Sequence, residues 1–207
     1  MRNAALRSNL LAPRMVIGIL LLISLDYSCA ATSGQSGASI PAIHAYFDVR
    51  GGSAMSFEFN SPAFRNGDSI PGKYTCDGAD VSPALRWSGV PVGTHSMALI
   101  TEDPDAPGGT WTHWIIWNIP AQATSLPEGL PATGTLENGA RQGRNGFGRI
   151  GYGGPCPPPG RPHRYFFHLY ALDTTLALKP DASKEDLEIA MKGHVLSRVE
   201  WMGKYGR

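Results

Sequence analysis

Paired proline and glycine markers cut this chain into short pieces, and that punctuation constrains its fold more than any other feature. Asn66-Gly67, Pro71-Gly72, Asp77-Gly78, Pro104, Pro107-Gly-Gly109 and Pro155–Gly160 fall between apolar stretches. Proline fixes φ and removes a donor, and glycine supplies the positive φ of tight turns, so each marker ends a strand or a helix. Between them Ser56-Phe-Glu-Phe-Asn60 alternates as a half-buried strand does. Further strands are expected at Ala84–Trp87, His95–Glu102, His113–Ile119, Tyr165–Leu172 and Val195–Met202. The 25 glycines and 17 prolines suit many short strands joined by structured loops. Ser183-Lys-Glu-Asp186 is a helix start signal, and Leu187, Ile189, Ala190 and Met191 give that helix an apolar side before Gly193. The predicted class is mainly β, an antiparallel β-sandwich with one or two peripheral helices.

The first residues read as a targeting segment. Arg2, Arg7 and Arg14 precede the apolar stretch Met15–Leu25, and small residues follow at Ser28-Cys29-Ala30-Ala31. This is the layout of a secretory signal peptide over residues 1–30, cleaved after Ala30. The apolar core is shorter than the roughly 20 residues of a spanning helix. Two rivals stay open: lipidation at Cys29, against which Asp26 speaks, and an uncleaved anchor. Export to the periplasm or beyond is the expectation. Residues 31–54, rich in Ser, Gly and Ala, read as a linker or frayed terminus, and residues 55–207 as one domain. The formal net charge is +1. Loss of the leader removes three arginines and leaves a mildly acidic chain, with no basic stripe to recommend a nucleic-acid partner. Cys76 and Cys156 are then the only cysteines. An even pair in an oxidising compartment reads as a disulfide, worth roughly 4 kcal/mol by loop closure, with two separate buried thiols as the alternative.

Chemistry concentrates at Asp103-Pro-Asp-Ala-Pro107, followed six residues later by His113 within Trp111–Trp117, and again at His163-Arg-Tyr165. A stiff turn that holds acids at a strand end, near histidines from other strands, is how pockets are built. Structural readings compete with this. A single buried histidine is commonly a hydrogen-bonded core residue, and Asp103 and Asp105 suit Asx-type turn caps, Asp105 especially. Trp111, Trp114 and Trp117 alternate unevenly and read as core. Arg164 lies on the opposite face from residues 163 and 165 and is expected to pair with a carboxylate. The glycine-rich stretch Gly143–Gly154, running into Pro155-Cys156-Pro-Pro-Pro159, reads as a pocket wall whose amides can face a ligand.

Further stretches complete an ordered set: Ser61-Pro-Ala-Phe64, Cys76-Asp-Gly78, Ser82-Pro83 with Trp87, and Asn118-Ile-Pro120. Gln142-Gly-Arg-Asn145 with Phe147-Gly148, Tyr152-Gly-Gly154 and Pro157-Pro158 follow. From about Phe57 onward the chain resembles the phosphatidylethanolamine-binding protein family, in the bacterial branch described as Raf kinase inhibitor-like proteins. The resemblance implies a β-sandwich with a small cavity for anions such as phosphate and phosphorylated head groups. It implies Asp103, His113, His163 and Tyr165 as pocket side chains, with Pro107, Gly154, Cys156 and Pro157 as walls and backbone contacts. A second pocket tyrosine of the eukaryotic members has no counterpart, because the connection from Pro107 to Trp111 is short. Kinase regulation is not carried over.

The function expected is that of an exported binding protein for a phosphorylated ligand or phospholipid head group, without a cofactor or metal. Peripheral contact with a membrane is compatible with it. An aspartate would repel a phosphate dianion unless a proton is shared or the histidines are cationic, so binding is expected to strengthen as pH falls from about 8 to about 6. The alternative is a secreted inhibitor or effector that meets a protein partner through its proline-rich loops. A phosphoester hydrolase using Asp103, His113 and His163 as an acid–base set is a third reading. Against it stands the lack of a Gly-x-Ser-x-Gly nucleophile motif and of familiar metal-ligand spacing.

Overall fold

The computed structural model describes residues 56–207; the expected leader (1–30) and linker (31–54) lie outside the described residues. The strands are β1 (Glu58–Asn60), β2 (Leu85–Ser88), β3 (Ser96–Asp103), β4 (Trp111–Pro120), β5 (Ser125–Leu126), β6 (Arg141–Gln142), β7 (His163–Leu172) and β8 (Val195–Tyr205). Among the described residues one helix, α1 (Lys184–Met191), precedes β8, and one 3-10 turn spans Gly72–Tyr74. The strands form a three-stranded sheet ordered β1-β2-β5 and a five-stranded sheet ordered β6-β4-β3-β7-β8. All neighbours are antiparallel. The mainly β, sandwich-like class holds, and each of the six expected strands is present within a few residues. The two-residue strands β5 and β6 were not expected, being too short to show any period.

Phe59, Leu85, Trp87 and Leu126 of the smaller sheet meet Met97, Leu99, Trp114, Ile116, Phe167 and Leu169 of the larger one. The outer face of the larger sheet is covered as well: Ala98, Ile100, Ile115 and Trp117 pack with Leu172, Leu176, Leu187 and Met191. Strands β3 and β4 are therefore buried on both faces, which is why Met97–Ile100 and Trp114–Trp117 read as unbroken apolar runs. Each such side chain contributes roughly 1.5–3 kcal/mol by leaving water. Helix α1 starts as its signal requires. The Ser183 hydroxyl accepts from the Asp186 N–H, and the Asp186 carboxylate accepts from the Ser183 N–H, at 3.2 and 3.0 Å.

Two bulges in β4 set which way its side chains point. Thr101 lies opposite Trp114 but Glu102 opposite Thr112, so His113 is an extra residue on its strand. Such a bulge bends the strand and re-aims the inserted side chain. Here it swings His113 to the inner face beside Trp114, with its ring 5.1 Å from that of Tyr165. A second irregularity falls between Met97–Ile119 and Leu99–Ile116, where Asn118 takes φ 55°. The Asn118 side chain locks it by donating to the Leu176 carbonyl (3.0 Å) and accepting from its N–H (2.8 Å). These shifts explain the uneven spacing of the tryptophans: Trp114 faces the inner core and Trp117 the outer one.

Candidate ligand-binding site

At one end of the inner core, the end of β3, the start of β7 and the bulge of β4 converge on a cavity of about 240 Å³. Strand β3 stops at Asp103 because Pro104 has no N–H to continue the ladder. The next donor along the chain, the Asp105 N–H, bonds Asp103 Oδ1 at 2.8 Å. The other carboxylate oxygen, Oδ2, meets Nδ1 of His163 at 2.7 Å. Asp103 therefore both caps the turn and orients a histidine, and the pair is buried at 3% and 6% exposure. Asp105 does not cap the turn through its own side chain. Its carboxylate takes Nε and a terminal nitrogen of Arg164, each at 2.8 Å, and the Arg164 N–H at 3.0 Å. These bonds hold the Asp105 carboxyl well below the ordinary carboxylate range. Arg164 thus finds the carboxylate expected of it, on the face away from the cavity.

His113 Nδ1 donates to the Gly153 carbonyl at 2.6 Å, and the Gly153 N–H returns a bond to the His113 carbonyl at 3.0 Å. That arrangement commits Nδ1 and leaves Nε2 for the cavity. Burial pushes the His113 pKa below 6.5, opposed in part by the Gly153 bond and by Asp103, so the ring is neutral at neutral pH. Tyr165, 1% exposed, lies near Asp103, yet its hydroxyl has no hydrogen-bond partner of acceptable geometry. Burial first, and the Asp103 carboxylate second, push its ionisation far above 10, so it is a donor at any working pH.

Pro107, Cys156 and Pro157 line the cavity with these four. Gly154 does not. Its N–H is bonded to Asp80 Oδ1 at 2.7 Å, behind the wall. The expectation that glycine amides of the 143–154 stretch face a ligand fails for the same kind of reason. The N–H groups of Gly143, Gly146, Gly148, Gly151 and Gly153 all bond carbonyls of the chain itself. Cys76 and Cys156 form a disulfide, with Cα atoms 5.4 Å apart, that ties the cavity wall to the 3-10 turn region.

Five lining residues were not among those expected: Ala106, Gly108 and Pro158, each next to an expected one, and Trp111 and Phe147. Trp111 and Phe147 stand at the mouth, 38% and 39% exposed. Trp111 is thus not core, unlike Trp114 and Trp117. The available signals were its place directly after the Pro107-Gly-Gly109 turn and the glycines on either side of Phe147. Among the described residues no Lys or Arg lines the cavity, and no cluster of three or more His, Cys, Asp or Glu is placed to hold a metal ion.

A family model described as phosphatidylethanolamine-binding protein matches residues 60–206. The UPF0098 protein of Methanothermobacter thermautotrophicus is 55% identical over 145 residues, covering 70% of this chain and 95% of the relative. The UPF0098 protein of Pyrococcus horikoshii is 52% identical over 156 residues, covering 74% and 78%. Among solved structures, a phosphatidylethanolamine-binding protein homologue from Chlamydia trachomatis superposes with TM-score 0.68 at 41% identity, over 73% of this chain and 98% of that one. YbcL of Escherichia coli, described as a new member of the mammalian family, gives TM-score 0.69 at 37% identity over the same shares, 73% and 98%. A match across nearly all of the described fold, with relatives more than half identical, means that the chain belongs to the phosphatidylethanolamine-binding protein family, whose members are in general ligand-binding proteins.

Proposed function

We propose that this is an exported binding protein whose cavity receives a compact anion, such as a phosphate or the phosphorylated head group of a lipid. The observation that carries the reading is the Tyr165 hydroxyl at the cavity floor, a buried donor close enough to the Asp103 carboxylate to feel it but outside hydrogen-bond geometry with it or any other described residue. An unsatisfied buried donor costs about 1–3 kcal/mol, and a ligand oxygen at that point would remove the cost. The Nε2 of neutral His113 supplies an acceptor for a protonated phosphate oxygen, or a second donor once it takes up a proton. With no Lys or Arg among the described residues that line the cavity, charge is balanced by protons instead of cations. Anion binding is therefore coupled to proton uptake and strengthens as pH falls from about 8 to about 6. Export is supported by the Cys76–Cys156 disulfide, which persists in oxidising compartments. A hydrolase is disfavoured. Among the described residues no Ser or Thr lines the cavity, and the cysteine that does, Cys156, is held in the disulfide, so none of them offers the usual hydroxyl or thiol nucleophile.

Calorimetric titration of the mature protein with phosphoethanolamine and with inorganic phosphate, beside His113→Ala, tests the reading. Heat with the wild type that is lost in a folded His113→Ala supports it. A folded wild type that binds neither anion overturns it and moves a protein partner to first place.

A further inference from the structure

Four aromatic rings form a ladder from the cavity floor to its mouth. Tyr165 and His113 meet edge-to-face at 5.1 Å, His113 and Phe147 at 5.5 Å, and Phe147 and Trp111 at 5.5 Å. Exposure rises along the series, from 1% and 3% at Tyr165 and His113 to 39% and 38% at Phe147 and Trp111. The backbone is shaped to keep the outer two in place. A Cβ at Gly146 would lie 2.6 Å from the Trp111 ring, and one at Gly153 2.7 Å from the Phe147 ring, so both rings rest on backbone that only glycine supplies. Adjacent aromatic rings left partly open to water beside a polar floor are one mark of a ligand-binding groove. The volume agrees with this. A cavity of roughly 150 Å³ holds benzene, and about 240 Å³ exceeds what a small anionic head fills.

We propose that the cavity takes a two-part ligand, with its compact anionic head at the Tyr165 and His113 end and a flat aromatic group against Trp111 and Phe147. The head rests on the reading given above; the ring is the new element. Edge-to-face and offset packing favours an aromatic ring over a saturated one of the same size, beyond the gain from burying its area.

Methyl, cyclohexyl and phenyl phosphate are the probes, titrated by calorimetry into the wild type, Trp111→Leu and Phe147→Leu. The leucines keep apolar volume while removing the π-face. The expected result in the wild type is phenyl phosphate binding about ten-fold more tightly than methyl phosphate and a few-fold more tightly than cyclohexyl phosphate. In each leucine variant the phenyl-to-cyclohexyl ratio falls toward one. The readout is that ratio, so a general loss of affinity does not imitate it. Equal affinity for phenyl and cyclohexyl phosphate in the wild type, or a ratio that survives in both variants, overturns the aromatic subsite while leaving the anion reading intact. Failure of all three phosphates to bind the folded wild type overturns both.

Discussion

Replacing Tyr165 by phenylalanine should move stability and ligand affinity in opposite directions. The hydroxyl is 1% exposed and has no partner of acceptable geometry, while the ring packs against His113 and the inner core. Leaving a buried donor unpaired costs about 1–3 kcal/mol, and deleting one oxygen beside an existing cavity adds little new void. The unliganded variant should therefore gain about 1 kcal/mol, raising Tm by about 2–4 °C for a domain of this size. A hydrogen bond to a charged group is worth about 1.5–3 kcal/mol, so inorganic phosphate should bind about ten- to a hundred-fold more weakly. Scanning calorimetry without phosphate, paired with titration of phosphate, measures both. Because burial and Asp103 keep the phenol protonated, the two effects should not change between pH 6 and 9 on its account. A variant destabilised by 1 kcal/mol or more would refute the reasoning, since the hydroxyl would already be satisfied, with Asp103 as the obvious acceptor, and the cavity would hold no spare donor.

Other perturbations follow from the same geometry. Converting both Cys76 and Cys156 to serine opens a loop of 80 residues; loop-closure entropy puts the loss at about 4 kcal/mol, read as a Tm fall of about 8–16 °C. Glu102 is held at about 2 by its hydrogen bond to His168 and by Lys184 of α1. A depressed carboxyl contributes stability above its unfolded value that is lost as pH falls, here from about 4.5 toward 2, on the order of 2–3 kcal/mol. Glu102→Gln should lose that stability at neutral pH and flatten urea-unfolding free energies between pH 5 and 3. His113, a base whose folded pKa is also depressed, shifts stability in the same direction. The unfolded chain binds the proton more readily, so stability falls as pH drops through about 6.5. His113→Gln should remove that portion of the slope, and saturating phosphate should reduce it in the wild type.

Much of the site was legible because its signals are local. The doubly clamped turn announces Asp103, and the two-residue step from His163 to Tyr165 on a strand places both on one face. His113 was legible as a residue but not as a position. Its direction depends on a bulge, and a bulge is a relation between β4 and β3 that neither strand carries alone. The same limit applies to Asp105. Its carboxylate could serve its own turn or a neighbouring strand, and only the placement of Arg164 decides between them. The glycine stretch misled because its many N–H groups look available in one dimension, whereas Asn145 folds the loop onto itself by accepting from the Phe147 and Arg149 N–H groups. Trp111 misled because three tryptophans in seven residues read as one apolar strand, while its place ahead of the bulge turns it toward the mouth.

The strand order has a consequence for how the protein is made. Strand β3 sits at the centre of the larger sheet between β4, its near neighbour in sequence, and β7, whose Leu172 pairs with Ser96. At ribosomal rates of about 5–20 residues per second, several seconds separate the synthesis of β3 from that of β7. Throughout that interval one edge of an eight-residue strand, whose Met97–Ile100 run is apolar on both faces, has nothing to pair with. Completion of the sheet must wait for the C-terminal third of the chain, so a nascent copy is a natural client for holding chaperones, and one interrupted before His163 is a seed for aggregation.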